Sequence, residues 1–190
     1  MASETILWRR LDTSGHDACR LVDRGVAWRI EGTSVFRHDT GPAALVYEVE
    51  CGRDWRTREC AVNGWMGSRQ VSIRVTRNST GLWTLNGQVV PNMQECVDLD
   101  LGFTPATNLP QLRRIALQVG QSADVPVAWL DVPFGSLEVL QQRYERRTAE
   151  TYWYTAPRFD YAALLQVCAV GFVRLYPDLW KAETQEIASR

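Results

Sequence analysis

Residues 96–119 read CVDLDLGFTPATNLPQLRRIALQV, and the fold turns on how this stretch is divided. Asp98 and Asp100 alternate with Val97, Leu99 and Leu101. A period of two puts both carboxylates on one face of a strand and the apolar side chains on the other. Such a strand is expected to be half exposed. Pro105, Asn108 and Pro110 then break the run. Two readings of the remainder stay open. In one, Thr107 or Asn108 caps a helix with Pro110 in its first turn. In the other, Ile115, Leu117 and Val119 alternate with Arg114, Ala116 and Gln118 as a second strand, and the alternation favours the strand. On a strand Arg113 and Arg114 point to opposite faces. Either they join Asp98 and Asp100 in an ion network that fixes the corner, or one of them meets an anionic head group.

Downstream, Gly120-Gln121-Ser122 turns the chain into a strand over 125–130, which Pro126 confines to an edge or bulge. A long strand is expected over 137–148. Its second half, 141–147, is polar on both faces, as at a projecting end or the polar mouth of a cavity. Tyr152 and Tyr154 share one side of the strand after it. Residues 159–168 and 172–176 read as a hairpin about Gly171, with a buried helix over 161–173 as the alternative. Residues 178–183 suit a short C-terminal helix with an acidic start.

Upstream, alternation recurs. Ile6, Trp8 and Arg10 oppose Leu7, Arg9 and Leu11, and strands follow over 16–21, 26–30 and 45–51. From 55 to 62, Arg56, Arg58, Cys60 and Val62 share one face, opposite Trp55, Thr57, Glu59 and Ala61. Val71, Ile73 and Val75 mark another strand. Asn86-Gly87 is a strong hairpin signal, because both residues tolerate the positive φ of a type I′ turn. The chain therefore reads as one mainly β domain over residues 1–190.

Composition limits the function. Lys+Arg at 21 against Asp+Glu at 22 leaves a net charge of −1. That lacks the basic excess of a nucleic-acid binder or a polybasic membrane anchor. The start MASETILWRR has no apolar core of a signal peptide, and 161–173 is too short to span a bilayer, so a cytoplasmic location is expected. The five cysteines form no CxxC pair and read as reduced, mostly buried thiols. His16 and Cys19 fall on opposite faces of a strand, so no metal or cofactor is expected there. Two histidines give no basis for a hydrolytic triad. Asp98 and Asp100 have a spacing compatible with acid/base work on a sugar, as does any Asp-x-Asp strand.

An ordered set of segments carries a resemblance. Trp55-Arg56-Thr57 is followed by 83–87, by Cys96-Val97-Asp98-Leu99-Asp100-Leu101 and by Thr104-Pro105-Ala106-Thr107-Asn108. Then come 109–115, Gln142-Arg143-Tyr144 and Leu175-Tyr176-Pro177-Asp178-Leu179-Trp180. Together they resemble a bacterial family named for glycolipid binding, over roughly residues 28–180. The resemblance implies a strongly curved antiparallel sheet, an open or partial β-barrel, similar to carriers that hold acyl chains. Cys168 and Val170 stand where that family's pattern has acids. No catalytic residue is implied.

The aromatic count, the doubly polar half-strand and the resemblance together give the expected function. This is a non-enzymatic groove for a glycolipid or fatty-acid-like ligand. Trp55, Trp83, Trp129, Tyr144 and Tyr154 are candidate wall residues, and Arg113, Arg114 and Arg143 candidate head-group contacts. Asp98 and Asp100 form an acidic cluster that is structural or a polar anchor. The alternatives are a small enzyme using Asp98 or Asp100, and a β module that buries its sheet in a homodimer.

Overall fold

In a computed structural model, residues 3–183 are described. The first eight strands form an antiparallel meander: β1 (Ser3–Arg10), β2 (Gly15–Asp23), β3 (Ala27–His38), β4 (Gly41–Gly52), β5 (Thr57–Met66), β6 (Arg69–Arg77), β7 (Trp83–Leu85) and β8 (Gln88–Val89). A middle section follows, with β9 (Asp98–Leu101), a 3-10 turn (Pro105–Thr107), α1 (Asn108–Ile115), β10 (Ser122–Asp124), β11 (Val127–Asp131) and β12 (Ser136–Leu140). The C-terminal meander comprises β13 (Arg143–Arg146), β14 (Thr151–Ala156), β15 (Tyr161–Val167), β16 (Val173–Tyr176) and β17 (Trp180–Ala182), with a second 3-10 turn (Pro157–Phe159) after β14.

The two meanders join where β17 pairs with β1, at Trp8↔Ala182 and Arg10↔Trp180. The result is one open 14-stranded sheet with β10 and β8 at its edges. Alternation explains its sidedness. Cys19 and Leu21, Leu45, Tyr47 and Val49, and Val71, Ile73 and Val75 are buried on the inner face. The outer face carries cross-strand ion pairs such as Arg20–Glu31 and Arg74–Glu59. Exposed pairs of this kind add little stability and keep the outer face wet. At Asn86-Gly87 both φ angles are positive, 49° and 80°, as the type I′ turn requires.

The inner face is not an empty groove. β12, β11 and β9 form a three-stranded sheet, and this layer packs inside the large one with the first 3-10 turn and α1. Contacts from both meanders place it there. Tyr47 of β4 meets Thr104, and Tyr144 of β13 meets Asn108. Leu99, Leu101, Ala106, Leu109, Leu112, Val127 and Leu130 join the inner side chains of the large sheet in a single core. A bulge between Glu50 and Cys51 sets one docking point. It turns Thr57 inward beside Cys60 and Val62, correcting the face assigned to Thr57 from plain alternation. Thr57 then bonds β9 twice: its N–H donates to the Val97 carbonyl, and its Oγ1 accepts from the Leu99 N–H.

Several sequence expectations are corrected here. Residues 108–115 are helical, so Arg113 and Arg114 do not oppose each other across a strand. The helix stops at Ala116, whose φ of 45° is left-handed. β9 is buried on both faces, with Asp98 fully enclosed, and it pairs in parallel with β11. The long strand over 137–148 is two strands in different sheets, split at Gln141-Gln142. The strand expected over 125–130 begins after Pro126. Residues 178–183 hold a turn and β17 in place of the C-terminal helix, because Asp178 has a φ of 62° and Trp180 returns to pair with β1 and β16. The one α-helix among the described residues is α1. The hairpin about Gly171 forms as read.

Candidate functional site

Where the inner layer meets the C-terminal meander, a cavity of about 400 Å³ remains. Its floor and one wall come from the inner layer: Asp100 and Leu101 of β9, Thr104, Asn108 and Trp129. The opposite wall is aromatic, with Tyr154 of β14, Phe159, Tyr161 of β15, Tyr176 of β16 and Trp180 of β17. Arg10 and Asp12 stand beside them.

The sequence accounts for this wall. Antiparallel neighbours put their inward side chains in register, so inward tyrosines on successive strands must meet. Ring centroids lie 5.5 Å apart for Tyr154 and Tyr176, 5.4 Å for Tyr161 and Tyr176, and 6.1 Å for Tyr154 and Tyr161. These separations suit tilted and edge-on aromatic packing. Tyr161 is also pinned by its hydroxyl, which donates to the Pro177 carbonyl over 2.6 Å. Across the cavity Trp129 packs edge-on against Phe159 at 5.4 Å, and the Arg158 guanidinium lies 4.8 Å from its ring. A Cβ at position 102 would lie 2.7 Å from the Trp129 Nε1, so only glycine there lets the indole lie against the backbone.

Polar groups behind the cavity are tied into a buried network. Asn108 Nδ2 donates to the Tyr144 hydroxyl over 2.8 Å, and that hydroxyl donates to Gln111 Oε1 over 2.8 Å. Gln142 Nε2 donates to Asp100 Oδ2. Among the described residues, Gln111 Nε2 is buried with no partner in hydrogen-bond geometry. Burial pushes the Asp100 carboxyl up to about 6, against the opposing pull of the Gln142 and Gln111 side chains. Burial also drives the Tyr144, Tyr154 and Tyr176 phenols upward, so they stay neutral.

Asp98, two residues earlier, has a different environment. Arg114 grips it bidentately, with Nε at 2.9 Å and Nη2 at 2.7 Å from Oδ2. Burial raises its carboxyl and the guanidinium opposes that rise. Asp98 and Asp100 therefore differ in partner, a guanidinium for the first and an amide for the second.

A second buried carboxylate sits one step behind Thr104. Tyr47 donates to Asp17 Oδ1 over 2.8 Å. With that proton committed, the Thr104 hydroxyl at 3.2 Å donates to Tyr47. Asp17 Oδ2 has no partner among the described residues, and burial pushes this carboxyl up to about 7.

The residues singled out from the sequence are thus divided. Trp129, Tyr154 and Asp100 line the cavity, and Tyr144 lies directly behind it. Arg114 is taken up by Asp98. Arg113 lies 5.8 Å from the ring of Trp55, which stacks on Trp28 at 4.6 Å, away from the cavity. Trp83 is fully enclosed and donates to the Cys96 carbonyl. Arg143 ties β13 to β10 through Asp124 and Ser122. Phe159, Tyr161, Tyr176, Trp180, Arg10 and Asp17 were not singled out. A signal existed, since five of the six tyrosines fall between residues 144 and 176. No group of His, Cys, Asp and Glu suited to a metal ion occurs among the described residues, and none of their helices is long and apolar enough to cross a membrane.

Comparison with known proteins adds three findings. Residues 5–182 match a family described as "Putative glycolipid-binding". A crystal structure of a DUF1089 family protein (PA1994) from Pseudomonas aeruginosa is similar, with a TM-score of 0.80 and 26% sequence identity. The match covers 89% of this chain and 92% of that one. No curated protein matches the chain.

Proposed function

The chain belongs to the family described as glycolipid-binding, and from that premise we propose that it binds an amphipathic ligand by its carbohydrate head group, in the cavity at Asp100, without catalysing a reaction on it. The observation that carries this reading is the pairing of an aromatic wall with a buried, hydrogen-bonded carboxylate around a space of about 400 Å³. Sugars present CH faces that pack on rings and hydroxyls that need acceptors. Tyr154, Tyr161 and Trp129 supply the rings, and Asp100 supplies an acceptor. Ligand sites are mostly apolar with a few placed polar groups, and this cavity fits that description.

Its size also limits what enters. The inner layer packs against the concave face and the cavity is about 400 Å³, so a long acyl chain runs outward past Phe159, which is half exposed. The locked Asp98–Arg114 pair supports a binding role over acid/base catalysis. Calorimetric titration with octyl β-glucoside, below its micelle concentration, tests the proposal. Saturable binding that Trp129→Ala weakens about fivefold is expected, in line with the contribution of one aromatic contact. Absence of binding, or binding indifferent to both Trp129→Ala and Tyr154→Ala, would overturn it.

A further inference from the structure

We infer that the cavity selects a head group bearing a positively charged nitrogen, with Asp100 as its counter-ion and the tyrosine wall as its cage. This rests on the proposal that the cavity takes a head group, and it names the chemistry of that group.

The first observation is an asymmetry along β9. Asp98 is matched by a guanidinium from α1, whereas Asp100 has no salt-bridge partner among the described residues. Its hydrogen bond comes from a neutral amide, that of Gln142. The cationic side chain lining the cavity is Arg10, and its guanidinium is paired with Asp12: Nε to Asp12 Oδ1 at 3.0 Å and Nη2 to Asp12 Oδ2 at 2.6 Å. The cavity therefore holds one uncompensated negative charge whenever Asp100 is ionised. A buried charge without a partner is costly, and a ligand cation placed beside it would offset that cost. Burial displaces this carboxyl upward to about 6, with no guanidinium beside it to oppose the rise as Arg114 does at Asp98.

The second observation concerns the walls. Three tyrosines and two tryptophans line the same cavity as Asp100. Ring faces attract cations, and cages of rings with a carboxylate are the physical means of holding an ammonium group. Part of the same wall already does so within the protein: the Arg10 guanidinium lies 5.0 Å from the Trp180 ring and 4.9 Å from that of Phe36. A neutral sugar would use the rings and leave the charge unmatched. An amino sugar, with its ammonium toward Asp100, uses both. Other titratable groups facing Asp100 do not compete, since the Tyr144, Tyr154 and Tyr176 phenols are held neutral by burial and Asp98 is bound to Arg114.

A matched set of probes tests this: octyl glucoside, octyl 2-amino-2-deoxyglucoside and its N-acetyl derivative, titrated calorimetrically into the full chain. At about pH 7 the amine is largely protonated and Asp100 is largely ionised. The amino probe is expected to bind about tenfold more tightly than both neutral probes. Asp100→Asn, which keeps the shape of the side chain and removes its charge, is expected to abolish that preference, so that the amino probe binds the variant no more tightly than the neutral probes do. Equal binding of all three, or a preference that survives Asp100→Asn, would overturn the inference and leave the carbohydrate reading standing. Binding of none would overturn both. Octyltrimethylammonium chloride separates the sources: binding as tight as the amino sugar's would support the ammonium inference and overturn the need for a carbohydrate.

Discussion

The N-terminal meander and the inner layer obey different sequence rules. Strands β2 to β6 have one buried face and one wet face, and their side chains alternate accordingly. β9 and β11 are covered on both sides, so polar residues survive in them only with partners. In the first region a carboxylate such as Glu31 or Glu48 pairs with arginine at the surface. In the second, Asp98 is enclosed and Asp100 half-buried, one matched by a guanidinium and one not. Charge on the outer face of the meander keeps that face wet, while charge turned inward, at Asp98 and Asp100 in the layer and at Asp17 on β2, bears on how the two regions hold together.

The sharpest way to break this contrast is Arg114→Met. It strands the fully enclosed Asp98 without a counter-ion and is expected to cost about 3–5 kcal/mol, read from urea unfolding. Removing the exposed Arg74 partner of Glu59 should move the same curve by under about 1 kcal/mol. Similar losses for the two variants would erase the distinction between the regions.

Next in size is the pH dependence of Asp100. Its carboxyl titrates near 6 in the folded chain and near 4 when unfolded, so the folded state holds the proton more tightly. The associated stability is present in full below about pH 4 and lost as pH rises through about 6. Asp100→Asn removes that loss. The variant is expected to gain about 2–3 kcal/mol on the natural chain between about pH 4 and pH 8, as shown by unfolding free energies at both values. A constant difference would contradict the burial assigned to this group. Asp17, with its carboxyl near 7, predicts the same sign for Asp17→Asn.

Gly32→Ala gives the smallest effect and probes the boundary between the regions. The added Cβ would collide with the Tyr47 ring, which joins β4 to Asp17 and Thr104. A loss of about 1–2 kcal/mol is expected, with head-group affinity at Asp100 unchanged. Loss of binding in this variant would show that Tyr47 positions the cavity wall.

The same contrast explains what could be read from residue order. The outer meander was legible because exposure on one face imposes alternation and because Asn86-Gly87 signals its turn. The strands of the inner layer were legible as strands, but not as a buried layer, because Asp98 and Asp100 alternate with apolar residues just as they would on a half-exposed strand. In α1, the run Arg114, Ile115, Ala116, Leu117 alternates by chance, while Pro110 and the left-handed Ala116 bound a true helix. The split at Gln141-Gln142 is visible in the sequence as polarity on both faces, which also fits a projecting end or a polar cavity mouth on one long strand. The unassigned half of the site has a related cause. Arg10 and Trp180 lie 170 positions apart in the chain, yet pair directly across β1 and β17. Trp129 and Tyr154 were found by residue type. Their convergence on Asp100 depends on a layer that no local pattern announces.

The central claim is that ligand binds between this layer and the C-terminal strands. Solution NMR of the isotopically labelled chain during titration with octyl glucoside tests it most directly. The account predicts that the largest shifts fall on the Trp129 indole and on the amides of Asp100, Tyr154 and Tyr161. Shifts centred on Trp28 and Trp55, or on the outer face of β1 to β5, would contradict it.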